Sequence, residues 1–71
     1  MSLLEIEFKV SDAFSSTQIF HYTSSLQEND YNITVADLGP HSCTLIGEKD
    51  IINFTKDELT KKGIKYEITP A

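Results

Sequence analysis

His41 and Cys43 stand two residues apart, just beyond the Gly39-Pro40 turn. A thiol beside an imidazole is the pair that nucleophilic cysteine chemistry needs, and it is also half of a zinc site. If the chain is already extended at Ser42, both side chains leave on the same face. The remaining groups are missing. Cys43 is the single cysteine, and His21 is the only other histidine, inside a predicted helix. A lone cysteine most often packs as a small hydrophobe. The expectation is therefore a buried Cys43 and an exposed turn residue at His41. No catalytic residue, metal ligand or cofactor is assigned.

Phosphate chemistry is no better served. Gly39, Gly47 and Gly63 are isolated, so no glycine-rich phosphate loop exists. All six basic residues are lysines. The missing arginine removes the planar fork that grips phosphate and guanine, and with it the acylphosphatase type of active site.

Lys56-Asp57-Glu58-Leu59 spells a signal for retention in the endoplasmic reticulum. Such a signal works only at a C-terminus, and Thr60 to Ala71 follow it here. The same letters make good helix chemistry. Thr55 and Glu58 have the spacing of a capping box. Asp57 and Glu58 come early, Lys61 and Lys62 late, and Gly63 follows, which complements the helix dipole and ends the helix.

The chain has 71 residues and a formal charge of −5. That length makes one small domain, residues 1–71. The charge is uneven: residues 1–48 hold one lysine against seven acids, and residues 49–71 hold five lysines against four acids. An acidic field repels phosphate, so direct nucleic-acid binding and an anionic membrane surface are poor fits. No apolar run approaches the ~20 residues of a membrane span. The start MSLLEIEFKV lacks the basic, then apolar, order of a signal peptide. A soluble cytoplasmic protein is the expectation.

The elements follow from periodicity. Leu4, Ile6, Phe8 and Val10 alternate with Glu5, Glu7 and Lys9, which predicts a strand over 3–10. Ser11, Asp12, Ser15 and Ser16 are cap candidates for a helix over 14–29, with Ile19, Tyr22 and Leu26 facing inward and Phe20 beside them. Asn29 and Asp30 suit its left-handed exit. Residues 31–38 alternate again, with Tyr31, Ile33 and Val35 set against Asn32, Thr34 and Ala36. Cys43 to Gly47 reads as a central strand. Ile51–Phe54 reads either as the start of a helix capped by Asp50 or as a strand paired across the turn 47–50. Ile64, Tyr66 and Ile68 alternate in a last strand, stopped by Pro70.

The order β-α-β-β-α-β, with right-handed crossovers, predicts an α+β ferredoxin-like sandwich. It has a four-stranded antiparallel sheet with two helices on one face. Strands one and three are central. The open face of the sheet then carries Glu5, Glu7 and Lys9, Asn32 and Thr34, and Lys65 and Glu67, with Lys65 opposite Glu5 or Glu7. RNA-binding domains of this topology stack bases on outward aromatics. Here Phe8 and Tyr66 turn inward.

The rhythm KVSDAF…LQENDYNITVADL…TLIGEKD…LTKKGIKYEIT resembles the ACT regulatory domains, as topology over most of the chain. That resemblance implies a dimer that senses a small ligand such as an amino acid. It transfers no site residue, because AFSS replaces the family's Pro-Gly after strand one.

The function expected from the residues themselves is a non-catalytic, acidic protein-binding module, a small regulator or inhibitor. Small accessory proteins of viruses and mobile elements that mimic nucleic-acid charge are of this type. Its expected partner-binding residues are Glu5, Glu7, Asp37 and Glu48, with Tyr31, Asn32 and Thr34 on an edge strand able to pair with a protein partner. Monomer and homodimer both fit. The ACT-like ligand sensor is the alternative.

Overall fold

A computed structural model describes residues 3–70. Its elements are β1 (Leu3–Val10), α1 (Ala13–Glu28), β2 (Ile33–Leu38), β3 (Ser42–Glu48), α2 (Lys49–Lys61) and β4 (Tyr66–Pro70). The strands form one antiparallel sheet in the order β2-β3-β1-β4. This is the ferredoxin-like arrangement the sequence predicts, with β1 and β3 central.

The core lies between the sheet and the helices. Phe8, Val10, Ile19, Ile33, Cys43, Leu45, Ile51, Ile52 and Leu59 are buried together. Phe8 packs against Tyr66 with ring centroids 5.5 Å apart. Burying each large aliphatic or aromatic side chain contributes roughly 1.5–3 kcal/mol before entropy is counted. Leu4, expected inside, is 38 % exposed. It stands opposite Gly47, beside the point where β3 ends and α2 begins.

Ile51–Phe54 is helical. Glu48 closes β3 and is also the N-cap of α2, so no turn separates the two elements. The helix starts before Asp50, which sits in its first turn instead of capping it. Thr55 therefore lies in the interior of the helix. It is buried and donates its hydroxyl to the Ile51 carbonyl at 3.1 Å, so the expected capping box with Glu58 does not form. Lys56 to Leu59 are all helical.

Both helices end in the same way. Gly63 adopts φ +74°, and the amides of Gly63 and Ile64 bond back to the carbonyls of Thr60 and Leu59. Asp30 adopts φ +67°, and the amides of Asp30 and Tyr31 bond back to Gln27 and Leu26. Each is the paired-bond stop that satisfies the last carbonyls of a helix.

Helix α1 is unusual in what it buries. Its buried residues are Ser15, Ser16, Ile19 and Thr23, whereas Tyr22, Leu26 and Phe20 are only half-buried and Phe14 is 71 % exposed. The enclosed hydroxyls have partners. Ser16 Oγ lies 2.6 Å from the Gly39 carbonyl and 2.9 Å from that of Ser42. Thr23 donates to the Ile19 carbonyl at 2.8 Å. Ser16 thus ties the helix to the turn between β2 and β3.

Candidate functional site

The open face of the sheet is built from alternate residues of four strands. On β1 these are Leu3, Glu5, Glu7 and Lys9, because their neighbours Ile6, Phe8 and Val10 turn toward the helices. The register then sets the cross-strand rows. Thr44 of β3 and Thr69 of β4 flank Glu7. Ile46 stands between Glu5 and Thr34. Ser42 and Glu67 flank Lys9. Leu3 stands opposite Glu48.

Asp37 joins this face through a bulge. Strict alternation from Thr34 and Ala36 would send it toward the core. The register shifts between Val35 and Asp37, leaving Ala36 as the extra residue and setting Asp37 opposite Thr44. Asp37, Thr44, Glu7 and Thr69 therefore form one row across all four strands. An acid at a position that alternation assigns to the core is the sequence signal that marks this bulge.

The sequence-predicted residues thus fall into two groups. Glu5, Glu7, Asp37, Glu48 and Thr34 share the open face. Asn32 joins them at the rim, where its amide donates to Glu48 Oε1 at 3.4 Å and its carbonyl accepts from the Glu48 amide at 3.3 Å. Tyr31 does not. It precedes β2, is held by its backbone bond to Leu26, and stands two residues from the inward Ile33, on the same side. Its hydroxyl acts on the helix side, where it contributes, after burial and Glu58, to raising the Tyr22 phenol above its ordinary value.

Lys65 is not opposite Glu5 or Glu7. β4 begins only at Tyr66, so Glu67 stands opposite Lys9 and Thr69 opposite Glu7. Among the described residues the open face therefore carries the acids Glu5, Glu7, Asp37, Glu48 and Glu67, with Lys9 as the one lysine within the strands and Lys65 just before β4. Among the described residues the one ion pair is Lys62–Glu58 on α2, at 3.6 Å. The carboxylates of Glu5, Glu7, Asp37 and Glu67 make no ion pair with a described residue.

Cys43 is fully buried, and His41 is exposed before β3. Burial, with a smaller effect from Asp37, pushes the Cys43 thiol up to about 11. A thiol so placed stays protonated at neutral pH and is a poor nucleophile and metal ligand. Among the described residues no group of three or more His, Cys, Asp or Glu side chains is arranged to hold a metal. A shallow groove lies at the end of the β1–β4 pair, lined by Lys9, Val10, Ser11, Lys65, Tyr66 and Glu67. Among the described residues no helix is long and apolar enough to cross a membrane.

Compared with known protein families, curated proteins and solved structures, the chain matches none. The functional reading therefore rests on the site itself.

Proposed function

We propose that the protein is a non-catalytic binding module whose open sheet face docks a basic surface on a protein partner. The observation that carries this reading is the gathering of Glu5, Glu7, Asp37 and Glu48 on the open face, where among the described residues Lys9 is the one lysine within the strands. Glu5 and Glu7 project about 7 Å apart along β1, and Asp37 extends the row toward the β2 edge. Thr34 and Thr69, exposed on the same face, supply hydroxyls that can both donate and accept. A face of this kind steers a cationic partner and fixes its orientation. Proteins that handle nucleic acid belong to the partner class, because their phosphate-binding lysines and arginines would meet these carboxylates. Direct binding of nucleic acid is disfavoured by the same charge.

The test compares the wild-type chain with the variant Glu5→Gln, Glu7→Gln, Asp37→Asn, Glu48→Gln as bait in extract of the native host. The reading requires a protein captured by the wild type, released as salt rises through a few hundred millimolar, and not held by the neutralised variant. Capture that is equal for both baits and indifferent to salt overturns it.

A further inference from the structure

We infer that the groove at the end of the β1–β4 pair is a carboxylate subsite, and that it takes the free C-terminal carboxylate of a basic peptide tail laid along β1. This rests on the reading of the open face as a dock for a basic partner, and it names the segment of that partner which docks. The groove is where the sheet comes apart. The β1–β4 ladder ends at Val10 and Tyr66. Past that pair Ser11 and Lys65 share no backbone bond, and the two chains part. Carrying the register one step on sets Lys65 beside Ser11, next to the outward pair of Lys9 and Glu67. Lys9, Lys65 and Glu67 all line the groove, which measures about 380 Å³. That is toward the lower end of the ~300–1,000 Å³ of small-ligand sites. Two lysines against one carboxylate leave the groove net positive. Both lysines are exposed, and neither makes an ion pair with a described residue, Glu67 included.

The order of charge along β1 selects the occupant. Below the groove the sign reverses: Glu7 stands about 7 Å from Lys9 on the open face, and Glu5 about 14 Å. The complement is a ligand with one negative end and a positive body. A nucleic acid meets repulsion at Glu7 and Glu5. A small free anion leaves those acids unmatched. A basic chain that ends in its own carboxylate matches both signs at once. The spacing agrees. In an extended chain, side chains on one face repeat at about 7 Å, the step from Glu7 to Glu5. With the terminal carboxylate between the Lys9 and Lys65 ammoniums, basic residues second and fourth from the end meet Glu7 and Glu5. Each lysine brings three donors to the carboxylate, which accepts only. The lysines thus fix the direction and register in which the tail lies on the acids.

Fluorescence polarisation at low salt tests it. The probe is a fluorescein-labelled hexapeptide with lysine second and fourth from a free carboxyl end and serine or alanine elsewhere. The control is the same peptide with an amidated end. Amidation makes the peptide more positive, so the acidity of the protein alone predicts that the amide binds more tightly. The carboxylate subsite predicts the reverse, with the free acid tighter by roughly fivefold. The double variant Lys9→Gln, Lys65→Gln should lose that preference while its circular dichroism is unchanged, because both side chains are exposed. Glu5→Gln, Glu7→Gln should weaken both peptides alike and keep the preference. Equal binding of the two peptides, tighter binding of the amide, a preference that survives in the lysine variant, or no binding of either peptide each overturns the inference. Salt-sensitive binding with the amide tighter removes the carboxylate subsite alone and leaves the acidic dock standing.

Discussion

Helix α2 carries six charged residues in thirteen positions and buries Ile51, Ile52, Thr55 and Leu59, whereas α1 carries one in sixteen and buries Ser15, Ser16, Ile19 and Thr23. Both lie on the same side of one sheet and both end in the same paired-bond stop. The contrast separates two ways of fixing a helix. α2 is held by aliphatic burial, and its outer side is dressed for water. α1 is held by fewer apolar groups and by directional bonds, with Ser16 bridging to the Gly39–Ser42 turn and Asp12 capping its start. Its surplus aromatic surface points outward.

The largest expected effect falls on α2. Leu59→Ala removes a buried side chain from the core and should cost roughly 2–5 kcal/mol in chemical denaturation. Thr23→Val on α1 should stay within about 1 kcal/mol of wild type, since it deletes a local bond to Ile19 while keeping the volume. Equal losses would break the contrast. Next comes Ser16→Ala, which takes the hydroxyl donor from the Gly39 carbonyl, leaves the Ser42 carbonyl with the Gly39 amide alone, and should cost about 1–3 kcal/mol. Hydrogen exchange should show the loosening first in residues 38–42.

The helix exits give a smaller effect of opposite sign. Asp30→Gly relieves a left-handed residue that carries a Cβ and should stabilise by up to about 1 kcal/mol. Gly63→Ala imposes the same strain on α2 and should destabilise by a similar amount. The smallest effect is the pH dependence of Asp12. The amide of Ser15 donates to its carboxylate at 2.7 Å and holds it below its ordinary value of 3.8. A carboxyl lowered by folding binds more protons when unfolded, so its contribution is full above about pH 5 and fades as pH falls through the folded value. Melting curves of Asp12→Ala and wild type should therefore differ at pH 6 and converge toward pH 2.

Alternation makes the sheet legible in the sequence. It placed Phe8 and Tyr66 inside, Glu5 and Glu7 outside, and β1 and β3 at the centre. It missed what breaks periodicity. The bulge at Val35–Asp37 is one extra residue, and only the oddity of an acid on the core side hints that it brings Asp37 beside Thr44. The inversion of α1 was hidden for a related reason. Ile19, Tyr22 and Leu26 do mark a helical stripe, but enclosed hydroxyls follow from the nearby Gly39–Ser42 turn, a tertiary contact that helical spacing does not encode. At α2, helix-start signals at Asp50 and Thr55 lost to the direct run of β3 into the helix.

Cys43 gives the molecule a built-in stopwatch. Its sulfur sits on a central strand, opposite Phe8 and Leu38, and the chain has no other thiol. A small alkylating reagent meets it only when the core between sheet and helices opens. The pace at which one label appears on the intact chain therefore reports the share of time the core stands open, with no engineered reporter needed.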